Sequence, residues 1–367
     1  MNKKNIAYVF ISGRKEKIES LKENYAKEFF YGYQYFEKKG HNMKIIEFDK
    51  KKSFFSSVYF ILNKLSDLPI YGQNLINKTN YQILKNTDEI LFTNQKTAFS
   101  MLPLLLFTKI NNEINSHVFI MGLFGKNMNY RIKEFFRNIF IRILIISSKN
   151  LIFLGIGEYE YALKKYHKYK HKFTYLPFSI DTDFWEYSNL EKVNNELLFI
   201  GNDGMRDYDF LEDLIISMPN YTFNVVSKQF NTNKVIKNLR LHKGDWGAYS
   251  LSDNFIKKLY QKSSLTLLPI KETYQPSGQS VALQSMSVGT PVMITKTNGF
   301  WDKDNFIDNE NIYFIDDNNL DKWRESIINK LQNKSSIKEV GINGRDLISE
   351  KYGLELFFLK LEDLLLT

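Results

Sequence analysis

The stretch 265–300, LTLLPIKETYQPSGQSVALQSMSVGTPVMITKTNGF, constrains the fold more than any other part of the chain. An apolar run at 265–270 reads as a buried strand, and Pro276 and Gly278 break the polar loop behind it. Val281, Leu283 and Met286 mark a helix, Gly289 stops it, and 291–295 opens a second strand. The loop closes on Ser277-Gly278-Gln279-Ser280 immediately before the helix. Free backbone N–H groups and the positive end of the helix dipole meet hydroxyl and amide side chains there. Such a place suits an anion, most naturally a phosphate. Read more simply, Ser277 caps the helix and Gly278 makes a turn.

The same strand–helix alternation runs through the chain and predicts an α/β protein with parallel sheets, its functional loops at strand carboxyl ends. A strand at 5–12 ends in Ser12-Gly13-Arg14-Lys15, a Glu/Lys-rich helix runs to about residue 39, and 43–48 is the next strand. Gly13 and Arg14 would face the crevice. The strand at 88–93 ends at Asn94, Gln95 and Lys96, and the strand at 117–122 leads to Leu123-Phe124-Gly125-Lys126. Farther on, 196–200 is a strand followed by Gly201-Asn202-Asp203-Gly204-Met205-Arg206-Asp207. Two glycines let that backbone turn closely, and Arg206 offers a fixed fork of donors matched to a diphosphate. The plainer alternative pairs Arg206 with Asp207, Asp209 or Asp213.

With 367 residues the chain is long enough for two α/β domains. No cysteine is present, which excludes a disulfide framework, a thiolate metal site and a Cys nucleophile. No apolar stretch reaches the ~18 residues of a membrane span, and the apolar run after Met1 is too short for a signal peptide. A reducing cytoplasm is the expected setting. Residues 1–180 hold 29 Lys and Arg against 14 Asp and Glu, whereas 181–367 hold 21 against 27. A basic half joined to a mildly acidic one implies an anionic partner, with nucleic acid, lipid headgroups and a phosphorylated acceptor as candidates. The sign changes in the connector TYLPFSIDTDFW, so the domain boundary is placed near 180–190.

The run YRIKEFFRNIFIRILIISSK at 130–149 gives a helix with an apolar face of Ile132, Phe135, Phe136, Ile139, Phe140, Ile143 and Leu144. Arg131, Lys133, Arg137 and Arg142 flank it. The pattern fits a helix lying in a membrane interface, and equally an ordinary core helix with a basic outer side. His167 and His171 sit among lysines, which argues for a solvated face rather than a metal site.

Four segments resemble the retaining GT-B glycosyltransferase superfamily, which includes sucrose synthases and many bacterial lipid- and polysaccharide-building transferases. YLPFSIDTDFW is similar to its inter-domain segment, and LLFIGNDGMRDYDFL to the first strand and glycine loop of its C-terminal domain. LYQKSSLTLLP and SGQSVALQSMSVGTPVMIT look like the strand before its donor loop and the loop, helix and Gly-x-Pro-Val turn. The resemblance implies two Rossmann-like domains facing across a cleft. An acceptor domain would span 1–180, a nucleotide-sugar domain 181–345, and a C-terminal helix at 346–367 would cross back toward the first domain.

It further implies sugar transfer from a nucleotide donor, UDP- or GDP-linked, to a glycan or lipid-linked acceptor in cell-surface polysaccharide or lipopolysaccharide synthesis. Configuration would be retained, with neither metal nor other cofactor. Asp181-Thr182-Asp183 lies in the connector and is not read as a metal-binding DxD. Arg206 and Lys271 would stabilise the leaving diphosphate. Gly201, Gly204, Glu272, Ser277, Gly278, Gln279, Ser280 and Gln284 would bind the donor. Gly13, Arg14, Asn94, Gln95 and Lys126 would meet the acceptor. Two family glutamates are replaced here by Pro276 and Gln284, and Phe124 falls nearest a frequent family histidine. The basic first half would rest on an anionic inner membrane face. A catalytically silent glycan-binding or scaffold subunit is the competing reading. Nucleic-acid binding is not supported, because the aromatics fall within apolar strands and helices rather than among basic residues on one sheet face.

Overall fold

A computed structural model describes residues 3–20, 25–48, 56–109, 114–125, 131–187, 192–244 and 251–366. Its first sheet contains β1 (Asn5–Phe10), β2 (Asn42–Glu47), β3 (Glu89–Phe92), β4 (Asn115–Ile120), β5 (Asn150–Phe153) and β6 (Phe173–Tyr175). They lie in the order β2-β1-β3-β4-β5-β6, every pairing parallel. The second contains β7 (Glu196–Ile200), β8 (Thr222–Val226), β9 (Leu239–His242), β10 (Leu265–Leu268), β11 (Val292–Thr295) and β12 (Tyr313–Ile315). Their order, β12-β11-β10-β7-β8-β9, is again wholly parallel. Helices cover both faces of such sheets, so the strands are short and almost continuously apolar, as LTLL and ELLFI are.

Each sheet reverses its winding once, between β1 and β3 in the first and between β7 and β10 in the second. A crevice opens beyond the strand ends at such a switch point. The loops after β7 and β10 carry Arg206 and Ser277, and those after β1 and β3 carry Arg14 and Gln95. One apolar cluster runs from Tyr8 and Phe10 through Phe178, Ile180 and Trp185 to Leu283 and Trp301, so the core is continuous between the sheets. The helix Leu354–Leu366 lies on the first sheet's half, where Phe357 stacks on Phe119 at 6.0 Å and Glu362 accepts from Tyr35 Oη at 2.5 Å.

The single helix expected from residue 15 to about 39 is instead the short helices Arg14–Glu19 and Tyr33–Lys38, with a 3-10 turn at Glu28–Phe30. The first helix ends at Ser20, whose backbone is extended, and Tyr31 and Gly32, left-handed at φ 49° and 84°, separate the 3-10 turn from the second; the Tyr31 carbonyl accepts Tyr8 Oη at 2.9 Å in the interior. The helix Lys334–Lys351 is absent from the sequence reading, and it carries Gly341 and Gly344 in its interior. Gly341 lies against the Gly289 carbonyl, where a Cβ would stand 2.7 Å away, so close packing explains it. The amphipathic run is the helix Arg131–Ser147, which buries Arg137, Ile141, Leu144 and Ile145 and exposes Ile132, Phe135, Ile139 and Ile146. Its inner side is core and its outer side is apolar surface.

Candidate functional site

The two loops at the second switch point are laced together by backbone. Lys271 N donates to Met205 O at 2.8 Å, Asp207 N donates to Pro269 O at 3.0 Å, and Arg206 bridges Ile270. This lacing turns the Arg206 side chain inward, where it is 3% exposed. Its Nη1 donates to Ser277 Oγ at 2.6 Å and lies 3.2 Å from Asp203 Oδ2, while Ser277 Oγ donates to the Asp203 carboxylate at 3.0 Å. The bare backbone of Gly201 flanks the guanidinium, since a Cβ there would stand 2.5 Å from Arg206 Nε. That Nε is buried with no hydrogen-bond partner.

The helix Gln279–Ser287 begins beside this cluster on Gly278, at φ 88°. Ala282 N makes the first bond back along the helix, to Gly278 O at 2.8 Å, so the Ser280 and Val281 amides precede the ladder. A buried cation and a hydroxyl therefore meet just before a helix N-terminus. The Asp203 carboxylate occupies the anion's position there, and a phosphate could take its donors. The partner of Arg206 is Asp203, not the three aspartates considered from the sequence. Asp207 caps the helix Tyr208–Ser217, and its Oδ2 accepts from Asn318 Nδ2 at 2.8 Å.

The other residues expected to bind a donor spread outward. Lys271 Nζ is half exposed, 3.9 Å from Asp207 Oδ1, and Gly204 is exposed. Glu272 turns away, accepting from Asn298 N at 3.2 Å and Asn298 Nδ2 at 3.0 Å. Gln279 Nε2 reaches into the first half, to Leu154 O at 2.9 Å. Gln284 is wholly buried: its Oε1 accepts Tyr260 Oη at 3.1 Å and its Nε2 donates to Glu28 Oε1 at 2.8 Å. Glu28 also accepts from Trp185 Nε1 at 2.9 Å. Burial pushes the Glu28 carboxyl up to about 7, although hydrogen bonds from Gln284 and Trp185 oppose it.

At the first half's strand ends, Gly13 starts a helix in the left-handed region, and Arg14 N donates to Glu47 Oε1 at 2.6 Å. Asn94 Oδ1 accepts from Thr97 N at 2.9 Å, and the Gln95 amide is paired on both sides with the Met121 backbone. Lys126 lies outside the described residues. Phe124 is buried, and its N donates to Glu158 Oε1 at 2.7 Å. Gln275 nests between Gly122 and Gly125, and Thr273 Oγ1 donates to Gly125 O at 3.0 Å. The loop after β10 therefore touches the opposite domain. Asp203, Glu28 and Gln275 were missed from the sequence. Asp203 had a signal, standing three residues before Arg206 in a glycine loop; the other two act through partners more than a hundred residues away. Among the described residues no group of three or more His, Asp or Glu is placed to hold a metal ion.

No family model and no curated protein matches the sequence. Solved structures do match its fold. Anabaena HepE in complex with UDP and glucose superposes with a TM-score of 0.67 at 11% identity, over 99% of this chain and 100% of that one. A glycosyltransferase from Rickettsia africae gives 0.68 at 13% identity, covering 99% and 98%. Sucrose-phosphate synthase from Thermosynechococcus elongatus gives 0.70 at 12%, also covering 99% and 98%. Over essentially its whole length, this chain has the two-domain GT-B fold of those glycosyltransferases.

Proposed function

We propose that this chain is a glycosyltransferase that moves a sugar from a UDP- or GDP-sugar to a glycan or lipid-linked acceptor in cell-surface polysaccharide or lipopolysaccharide assembly. It would work in the cytoplasm, peripheral to the inner membrane face. The observation that carries the reading is the buried Arg206–Ser277 pair at a helix N-terminus, set at the switch point of the second sheet. Similar folds have been solved with UDP, UDP-glucose and ADP bound.

In the proposed reaction the bond from the sugar's anomeric carbon to the β-phosphate oxygen breaks, and a bond to the acceptor hydroxyl oxygen forms. Negative charge grows on the leaving diphosphate, where Arg206, Lys271 and the amides before Ala282 would meet it. The acceptor proton passes to a leaving phosphate oxygen, so neither a metal nor a protein base is assigned, and configuration would be retained.

One observation favours the catalytically silent alternative: Gln284 spends its amide on Glu28 and Tyr260 rather than on a ligand. Thermal unfolding with UDP, GDP, ADP, CMP and dTDP, without added metal, separates the two. At a hundred times its dissociation constant a nucleotide adds about 2.7 kcal/mol of apparent stability. A shift with one nucleotide that disappears in Arg206→Ala and Ser277→Ala supports the donor site. No shift, together with no heat in direct titration, would leave the scaffold reading.

A further inference from the structure

The helix Ser56–Ser66, SSVYFILNKLS, is apolar along most of its length, yet its only buried residue is Ser66. Tyr59 and Leu62 turn inward toward the first half's core, while Val58, Phe60 and Ile61 are 51%, 68% and 55% exposed. This helix packs against Arg131–Ser147, the helix whose outer side exposes Ile132 and Phe135 at 71% and 63%. Two packed helices thus present apolar side chains to water that an ordinary surface would not leave bare.

The exposed charge around them is mainly positive, with Glu134 and Asp67 as acidic exceptions. On its outer side the second helix carries Arg131, Lys133 and Arg142 against Glu134, which lies 3.5 Å from Lys165, whereas Arg137 is buried and donates to the Asp67 and Leu123 carbonyls. Lys64 is the only charged residue of the first, and Lys50-Lys51-Lys52 precede it in the sequence. Two copies meeting on this face would bring like charges together, whereas an anionic bilayer complements them.

Beside the first helix a recess of about 540 Å³ opens between Ser56, Phe60, Ile61, Tyr71 and Gln73. The buried Gln73 Oε1 in its lining has no hydrogen-bond partner. Lys96, in the first turn of the helix Gln95–Lys109 that follows β3, stands 4.7 Å over the Tyr71 ring, which places the recess near the first switch point.

We propose that the outer faces of helices Ser56–Ser66 and Arg131–Ser147 form one docking surface for an anionic lipid bilayer, seated so that a lipid headgroup reaches the strand ends at Lys96. The inference rests on the peripheral placement proposed above, and its test is independent of nucleotide binding. The full-length protein is sedimented with vesicles of phosphatidylglycerol and phosphatidylcholine in equal parts, and with phosphatidylcholine alone. The expected result is binding to the mixed vesicles at least tenfold stronger than to the neutral ones. It should fall at least tenfold in Phe60→Glu/Phe135→Glu, with the unfolding midpoint and any nucleotide-induced shift unchanged. Equal or absent binding to the two vesicles, or binding that the double substitution leaves intact, would overturn it. So would a dimer in light scattering that the same substitution dissolves, because the face would then belong to a second copy. A protein that binds vesicles but no nucleotide would keep this surface and lose only the transferase reading.

Discussion

Glu28 and Gln284 come from opposite domains, 256 residues apart, and share a hydrogen bond of 2.8 Å in the interior. The helix Gln279–Ser287 is thereby tied to a turn of the first domain through a carboxyl that burial holds near 7. A folded-state value above the ordinary 4.5 means that the native protein binds more protons than the unfolded chain between the two values. The stability from this group is complete below about pH 4.5 and is lost as pH rises through about 7. Glu158, buried beneath the loop after β4, carries the same sign and a similar value.

Glu28→Gln removes the titration while keeping an oxygen to accept from Trp185 and Gln284. Unfolding midpoints of wild type and variant, measured from about pH 5 to about pH 8, should diverge as pH rises. Each tenfold change in proton affinity is worth about 1.4 kcal/mol, so the variant should gain up to ~3 kcal/mol on wild type. Parallel pH profiles would show that Glu28 does not titrate in this range.

Asp203 sits on the donors that a diphosphate would use. Asp203→Asn should remove an internal competitor and tighten nucleotide binding several-fold. Arg206→Ala should weaken it by roughly ten- to a hundredfold, the range for one hydrogen bond to a charged group. Arg206→Lys keeps the charge but not the fork, so an intermediate loss is expected. Titration calorimetry with UDP and GDP reads all three, and weaker binding in Asp203→Asn would assign that carboxylate a supporting role instead.

Much of this arrangement was legible in residue order. Alternating apolar runs and glycine-stopped helices predicted parallel sheets, and the loops that leave those strand ends carry Gly13, Asn94, Gly201 and Ser277. Legibility failed where an element's form depends on distant packing. The expected helix is cut at Ser20 and again at Tyr31, whose left-handed backbone presents its carbonyl to Tyr8, and Gly341 sits inside a helix because another backbone passes close by. Side-chain destinations were less readable still. Gln284 looked available to a ligand, but its partner Glu28 stands in a Glu/Lys-rich segment that reads locally as a solvated helix.

The terminal helix is held by its aromatic side. Phe357 is 3% exposed and stacks on Phe119 of β4. Phe357→Ala should cost about 3–5 kcal/mol, the usual loss for a buried Phe. Lys39→Ala, which removes the solvent-exposed partner of Glu362, should cost far less, because surface ion pairs are screened by water. Chemical denaturation of both variants checks the ordering, and equal losses would contradict the core position of Phe357.

Domain closure has a sharper test at Gly157, in the first turn of the helix after β5. A Cβ on Gly157 would lie 1.9 Å from the Asn298 carbonyl oxygen of the other domain. The obstacle is backbone, not the tip of a flexible side chain, so the two loops must part for any substitution to fit. The neighbouring bonds, Ile156 N to Trp301 O at 3.0 Å and Tyr175 Oη to Trp301 O at 2.6 Å, would lengthen together. Each sheet keeps its own apolar cluster away from this contact, so both halves should stay folded. Gly157→Ala should therefore enlarge the radius of gyration in small-angle scattering and lower the unfolding midpoint, with the far-ultraviolet dichroism unchanged. Because Gln279 reaches Leu154 across the same contact, nucleotide binding should weaken as well. A variant with wild-type dimensions and wild-type binding would mean that the contact at Asn298 does not hold the domains together in solution.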